Sequence, residues 1–435
     1  MTTPIARRGL DVAAVRDHFP ALRRELDGRP IVFFDGAAGS QLPRQAIDAV
    51  ADYLLHHDAN QGGQFATSLE TNAMLAEVRQ ATADFLGAHA PEEIVFGPNM
   101  TTLTFAMSRA IGRELGPGDE VVLSRLDHDA NVAPWVAVAE EHGVTVRWID
   151  VRTEDCTLEL DPLGSLIGER TRLVAVGLAS NAVGTLNDVG RVIEVAHAFG
   201  ALVFVDAVHA APHVPIDVAA LHADFLVCSP YKFFAPHLGV LYGRRELLER
   251  LAAYRTRPAG EALPGKWEPG TQPHELLAGL LGTFEYLAQL GRAYGGASSD
   301  DDRRTALRSA MSAIHAHERE LTGPLLEGLA AVPGLTVHGI RKASRAGERV
   351  PTVAISLRGH LPEAVARHLA DAGINAWHGS MYAPDLMRAL GLDDAGGVVR
   401  IGLLHYNTAQ EIERLVAGLS QLAGRSTAGI TLSAP

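Results

Sequence analysis

Residues 201–243 read ALVFVDAVHAAPHVPIDVAALHADFLVCSPYKFFAPHLGVLYG. Three short apolar runs lie within them, at 202–205, 225–228 and 240–242, each bounded by polar or glycine residues. Continuous apolarity, rather than strict alternation, marks strands covered on both faces, as in a mainly parallel α/β sheet. Asp206 ends the first run and His209 follows three residues later. Open α/β sheets place their ligands at such strand ends. Lys232 follows the second run after a Ser-Pro turn. A lysine among apolar residues is costly as a cation, and burial lowers its pKa. Such an amine suits Schiff-base chemistry with an aldehyde, and an Asp on a neighbouring strand end would hold a ring nitrogen protonated. The same two residues also describe a strand-end Asp and a loop Lys facing water.

Outward from this stretch, further strand-like runs fall at 94–96, 120–123, 144–149 and 173–178. Helix-period segments alternate with them: 189–199, then 44–57 with Ile47, Val50, Ala51 and Leu54 on one face, then Leu75, Val78, Ala81 and Phe85. The pattern predicts an α/β fold with a large domain over 26–290, built on a doubly wound, mainly parallel sheet. The texture turns to Pro, Gly and polar residues near 256–275, and an acidic, Ser-rich break follows at 297–302. Helices near 303–331, 361–372 and 408–423 and strands at 335–338 and 352–357 predict a smaller C-terminal α+β domain over 291–424. Residues 1–25 are expected to pack on that small domain, and 425–435 to form a flexible tail.

Composition narrows the function classes. The chain has 435 residues and a net charge of −13, which disfavours general attraction to nucleic acid or anionic membrane. No apolar run approaches the ~20 residues of a membrane span, and the first residues lack a secretory apolar region, so a soluble, cytoplasmic protein is expected. Two cysteines, Cys156 and Cys228, are too few for a disulfide framework or a multi-thiolate metal site, and no metal is expected. Of 38 basic residues only three are lysines, Lys232, Lys266 and Lys342. Lys266 and Lys342 stand in polar, loop-like contexts. Lys232 alone follows an apolar strand.

Residues 205–243 resemble the pyridoxal-phosphate segment of class V aminotransferases, particularly the cysteine desulfurase group, whose pattern is Asp-Gly/Ala-x-Gln/His, then Asp-Phe, then Ser-x-x-Lys and a Gly-rich turn. Four more stretches fit in family order: FFDGAAG at 33–39, LSRLDHDANVAPW at 123–135, LASNAVGTLNDV at 178–189 and VVRIGLLHYNTAQEIERLVAGL at 398–419. The resemblance implies the fold-type I architecture, pyridoxal 5′-phosphate as cofactor and an amino-acid substrate. It makes Lys232 the Schiff-base lysine and proton carrier, Asp206 the partner of the pyridine nitrogen, and His128 the residue stacked on the ring. Asn181 and His209 take the positions that bond the phenolic oxygen. Met100, Thr101 and Ser229 take the phosphate positions, the first two at a helix N-terminus, which binds anions. Thr271 resembles the residue by which a partner subunit completes the phosphate site, which implies a homodimer with sites at its interface. Arg400 matches the substrate-carboxylate arginine, and Ala38 lies in the motif that borders the substrate.

The pattern also breaks. Desulfurases carry a nucleophilic cysteine in a C-terminal loop, and alignment of INAWHGSMYAPDLM (374–387) puts Tyr382 there. Trp377 replaces an arginine, Tyr231 replaces the His before the lysine, and NQGGQF (60–65) replaces a His-Arg-Gly element. Trp377 and Tyr382 would make the substrate pocket more aromatic and less charged. The departures argue against persulfide formation and favour a C–S β-lyase acting on cysteine or an S-substituted cysteine. Decarboxylation–deamination, transamination, epimerisation and desulfurase-like activity share the architecture and remain alternatives, and a non-enzymatic relative is disfavoured.

Overall fold

Seven strands form one sheet: β1 Ile94–Gly97, β2 Glu120–Ser124, β3 Thr145–Ile149, β4 Thr171–Gly177, β5 Leu202–Asp206, β6 Phe225–Cys228 and β7 Gly239–Gly243. These are the seven apolar runs of the sequence, with ends that differ by at most two residues. The computed structural model describes residues 9–428. Strand order is β1-β7-β6-β5-β4-β2-β3. Only β7 runs antiparallel to its neighbours, and every other pairing is parallel. Alternate residues serve opposite cores. Val203, Val205, Leu226 and Val240 join one apolar cluster, whereas Phe204, Phe225, Val227 and Leu241 join the other. Burial on both faces is why these strands lack polar alternation.

From β2 the chain turns outward to β3, then returns and winds the other way through β4, β5 and β6. The reversal between β2 and β4 opens a crevice at the carboxyl ends of the parallel strands, where such sheets bind ligands.

The C-terminal region forms an antiparallel sheet of β8 Leu335–His338, β9 Thr352–Leu357, β10 Trp377–Gly379 and β11 Val398–Gly402, in the order β8-β9-β11-β10. Helices Pro362–Asp371 and Ala409–Ala428 cover it. Its core also takes Val32 and Phe34, and Val32–Phe33 pairs in parallel with Ile374–Asn375. Val32 and Phe34 therefore pack with the C-terminal sheet although they fall within the span 26–290, while Phe33 joins the large core. Helix Arg303–Ala330 serves both bodies. Ala306, Met311 and Ile314 join the large core, and Leu325 and Leu329 the small one.

The amino-terminal segment also bridges. Arg16 donates to Tyr406 O at 2.8 Å and pairs with Glu411, while Phe19 packs edge-on against Phe234, Tyr286 and His405. Residues 1–8 lie outside the described residues. Of the segment 425–435, residues 425–428 continue the last helix and the rest lie outside them.

Two local expectations are corrected. Helix Arg44–Asp52 with its π-turn Tyr53–His57 occupies the expected span, yet its buried residues are Ala46 and Tyr53, while Ile47 and Leu54 are exposed. Lys266 is buried, not solvated. Its ammonium donates to Leu248 O (3.0 Å) and Glu249 O (2.6 Å), carbonyls at the end of helix Arg245–Arg250, where a cation is stabilised. Lys342 is exposed. Among the described residues no helix is long and apolar enough to cross a membrane.

Candidate active site

The crevice is a cavity of about 610 Å³ at the strand carboxyl ends. β2 leads into Asp127 and His128, β4 into Asn181, β5 ends in Asp206, and β6 leads through Ser229 to Lys232. Residues far apart in sequence meet because parallel strands deliver all their carboxyl ends to one edge.

Lys232 sits on a tight turn, Pro230–Lys232, and is buried. Its Nζ donates to Ala37 O at 2.6 Å. Burial, reinforced by the Arg400 charge and opposed by Asp206, brings its pKa down to about 7. Neutral amine is therefore abundant at physiological pH. Burial lifts the Asp206 carboxyl to about 6, restrained by the Val208 N–H that donates to its Oδ1 (2.8 Å) and by Lys232.

His128 accepts from Ala130 N at 3.0 Å through Nδ1, which leaves Nε2 to carry the proton of the neutral ring. Burial, with Lys232 and Arg400 nearby, holds its pKa near 4, so the ring is neutral. Its outer neighbour is Tyr382, stacked at 5.3 Å and 16°. Beneath it lies Asp127, which the motif reading passed over. Its oxygens accept from Gly177 N (3.0 Å) and Asn131 Nδ2 (2.7 Å), joining β4 to the His128 turn. Burial lifts this carboxyl to about 7. Its place directly before His128, just past a strand end, was the available signal.

An anion cradle closes one end of the cavity. Helix Met100–Gly112 opens there, capped by Asn99, whose Oδ1 accepts from Thr102 N at 2.8 Å. Ser229 Oγ accepts from Met100 N at 3.3 Å, and Met100, Thr101 and Ser229 all line the cavity. Thr271 does not join them. It lies exposed in the loop before helix His274–Tyr294.

Arg400 reaches in from β11. Its Nη1 donates to Asn181 O (2.9 Å), and its buried Nε has no partner. No carboxylate lies within ion-pair distance of it among the described residues, and Asp35 acts on it from farther off. Burial draws its pKa down to about 10, still fully charged near neutrality. A buried guanidinium with a spare donor is suited to a carboxylate ligand. Asn181 donates through Nδ2 to Met381 O (2.7 Å), and its buried Oδ1 is unpartnered. His209 lines the same wall with Nε2 bonded to Thr352 Oγ1 (3.0 Å), and Ala38 borders the cavity beside Lys232.

The rim is different in kind. Trp377 and Tyr382 line the mouth and are 53% and 73% exposed. Met381 and Tyr382 both take left-handed backbone, φ 56° and 53°, held by the Asn181 bond to Met381 O and by Asp129 N donating to Tyr382 O at 2.7 Å. Side chains pay for such a conformation in strain, so the anchors matter. Neither cysteine reaches the cavity. Cys156 and Cys228 are buried and free, and burial pushes the Cys156 thiol up to about 12 and the Cys228 thiol higher still.

A depressed amine, a protonatable carboxylate at a strand end, a helix start suited to an anion and a buried guanidinium with a spare donor are the donor set that pyridoxal phosphate with an amino acid requires. The chain belongs to the class-V aminotransferase family, whose model matches residues 32–308 and 304–415, and its enzymes are pyridoxal-phosphate-dependent. It is 34% identical to a cysteine desulfurase of Pectobacterium atrosepticum over 97% of this chain and 98% of that one. In structure it is similar to a cysteine desulfurase from Escherichia coli, with a TM-score of 0.81 and 27% identity over 96% of this chain and all of that one. The apo cysteine desulfurase of Thermococcus onnurineus gives a TM-score of 0.84 at 26% identity over 97% of this chain and all of that one. The protein is thus a cysteine desulfurase-like enzyme of fold type I.

Proposed function

We propose that this enzyme is a C–S β-lyase that cleaves cysteine or an S-substituted cysteine to a thiol, pyruvate and ammonia, with one water consumed. The observation that carries this reading is the absence of any thiol from the cavity; the sequence resemblance aligns Tyr382 with the sulfur-accepting cysteine of desulfurases. Both cysteines of the chain are buried as neutral thiols, which are poor nucleophiles.

Pyridoxal phosphate, when bound, supplies an aldehyde carbon for an amine and a protonated ring that accepts the electron pair left at the substrate Cα. Lys232 would hold it, with Asp206 keeping the ring nitrogen protonated and His128 supporting the ring. Asn181 and His209 would meet the phenolic oxygen, and Met100, Thr101 and Ser229 the phosphate. Arg400 binds the substrate carboxylate and so orients Cα toward Lys232. The Lys232 amine, neutral near pH 7, takes the Cα proton and later returns it at Cβ. A thiolate needs little help to leave, since free thiols ionise near pH ~8.5. Trp377 and Tyr382 at the mouth favour an apolar or aromatic sulfur substituent.

The decisive experiment is product analysis with cysteine and with S-methyl and S-phenyl cysteine. Equal amounts of thiol and pyruvate are expected. Alanine with enzyme-bound sulfur, or an unchanged substrate skeleton, would overturn the reading.

The reading includes a homodimer. Ile47, Leu54, Leu55, Phe65 and Leu69 are large exposed apolar side chains on the neighbouring elements Arg44–His57 and the start of Ala66–Leu86. Such clustering marks a contact surface. Leu54→Glu with Phe65→Glu is expected to halve the mass measured by light scattering. A monomeric parent protein would refute the dimer and with it the role of Thr271.

A further inference from the structure

Behind His209, on the side away from the cavity mouth, lies a buried pair to which the site described above gives no role. The turn after β5 puts His209 and His213 four residues apart, with ring centroids 5.4 Å apart at 69°. His213 Nδ1 meets Glu318 Oε2 at 2.8 Å, and each side chain is 1% exposed. Glu318 belongs to helix Arg303–Ala330, and Thr352, the partner of His209, opens β9. The two contacts join the cofactor-side turn to the C-terminal region.

The groups around this pair are mostly basic, with Asp206 beside Lys232 and Glu320 beside His317 as the carboxylates among them. His209 is faced by His213, Arg400, Lys232 and His128. The helix carrying Glu318 adds His315, beside which Arg319 lies, and His317, and the segment after β11 adds His405, near His213. Glu318 is the carboxylate paired with His213 there, and burial raises its pKa. An isolated buried anion is costly, so the pair keeps zero net charge. It holds either a neutral imidazole and a neutral carboxyl, or an imidazolium and a carboxylate. In both states Nε2 of His213 carries a hydrogen, and one further proton lies between Nδ1 and Oε2. Nε2 and the second Glu318 oxygen have no partner, so nothing else fixes where that proton rests.

We propose that His213 and Glu318 are positioning residues of the pyridoxal site: the pair holds one shared proton and, through His209, sets the charge that the cavity presents to the cofactor. His213 adjoins His209 and Glu318 lies beyond it, so the positive end of the pair faces the cavity. That end would oppose protonation of Lys232 Nζ when the lysine holds the cofactor. The inference rests on the family's cofactor and not on the lyase reading, and its test needs no substrate.

The test is a pH titration of the visible absorbance of the holoenzyme. Glu318→Gln keeps the shape and can accept from Nδ1, but it cannot share the charge. Its midpoint is expected to rise by about half a unit. His213→Gln, which removes the pair from the other side, is expected to move it the same way. In a His209→Asn background, Glu318→Gln is expected to have little effect, because the route through His209 is gone. An unchanged midpoint in folded Glu318→Gln holoenzyme would overturn the proposal. So would equal shifts with and without His209.

Discussion

The floor and the rim of the cavity are built on opposite principles. The floor consists of strand ends and a helix start, where Asp206, Lys232, Ser229 and Met100 are buried and the backbone is regular. The rim is a turn from the C-terminal region, where Trp377 and Tyr382 are exposed and two successive residues take left-handed backbone. Burial brings Lys232 down to about 7 and lifts Asp206 to about 6, because charged forms lose their water. The rim has apolar surface and hydrogen-bonded anchors. On the proposed reading, chemistry belongs to the floor and selection to the rim. Arg400 stands between them, reaching from the small sheet into the dry interior.

The largest expected effect comes from breaking the floor. Lys232→Ala is expected to lose the visible absorbance of bound cofactor and at least ~10⁴-fold in turnover. Lys232→Arg is expected to do the same, since a guanidinium stays protonated. In the parent protein, cofactor should load into apo enzyme with a rate that climbs as the amine deprotonates and levels off above about pH 7. Stopped-flow absorbance measures this, and a rate still climbing at pH ~10 would identify an ordinary, solvated lysine.

An intermediate effect is expected at the seam. Arg400→Lys keeps a charge but loses the two-pronged geometry, and kcat/KM should fall roughly 10–100-fold, mainly through KM. A selective fall in kcat would move Arg400 into the chemical step. The smallest effect belongs to the rim. Tyr382→Ala is expected to lower kcat/KM about tenfold for S-phenyl cysteine and little for cysteine. Equal losses for both substrates would mean that the tyrosine serves the floor, through its stack on His128.

The same contrast separates what the sequence made legible from what it hid. All seven strands of the large sheet were readable, because burial on both faces forces continuous apolar runs. The short strands β10 and β11 of the small sheet were not assigned. Trp377–Gly379 is only three residues long and carries exposed side chains, so no periodicity develops. The apolar stripe of 44–57 was readable as a helix, but its outward face was not, since periodicity does not say which neighbour covers a stripe. Thr271 matched a motif yet lies away from this chain's cavity, exposed in the loop before helix His274–Tyr294. Asp127 and the His213–Glu318 pair were missed because each depends on contacts between distant segments.

The two buried lysines show the limit most plainly. Sequence context separated Lys232 from Lys266 by apolar against polar neighbours, and the structure buries both. Lys266 spends its ammonium on two carbonyls at a helix end. Lys232 has one carbonyl and an open cavity in front of it.

By itself, the sequence determined the parallel sheet, the order of its strand-end motifs and the one lysine that directly follows a buried strand, because apolar runs and local spacing encode them. Only the tertiary structure decided which polar groups lost their water, which donors were left free, and which residues from the C-terminal region closed the mouth. Those properties arise where distant segments meet, and the dielectric and the hydrogen-bond partners of a side chain exist only once its neighbours are in place.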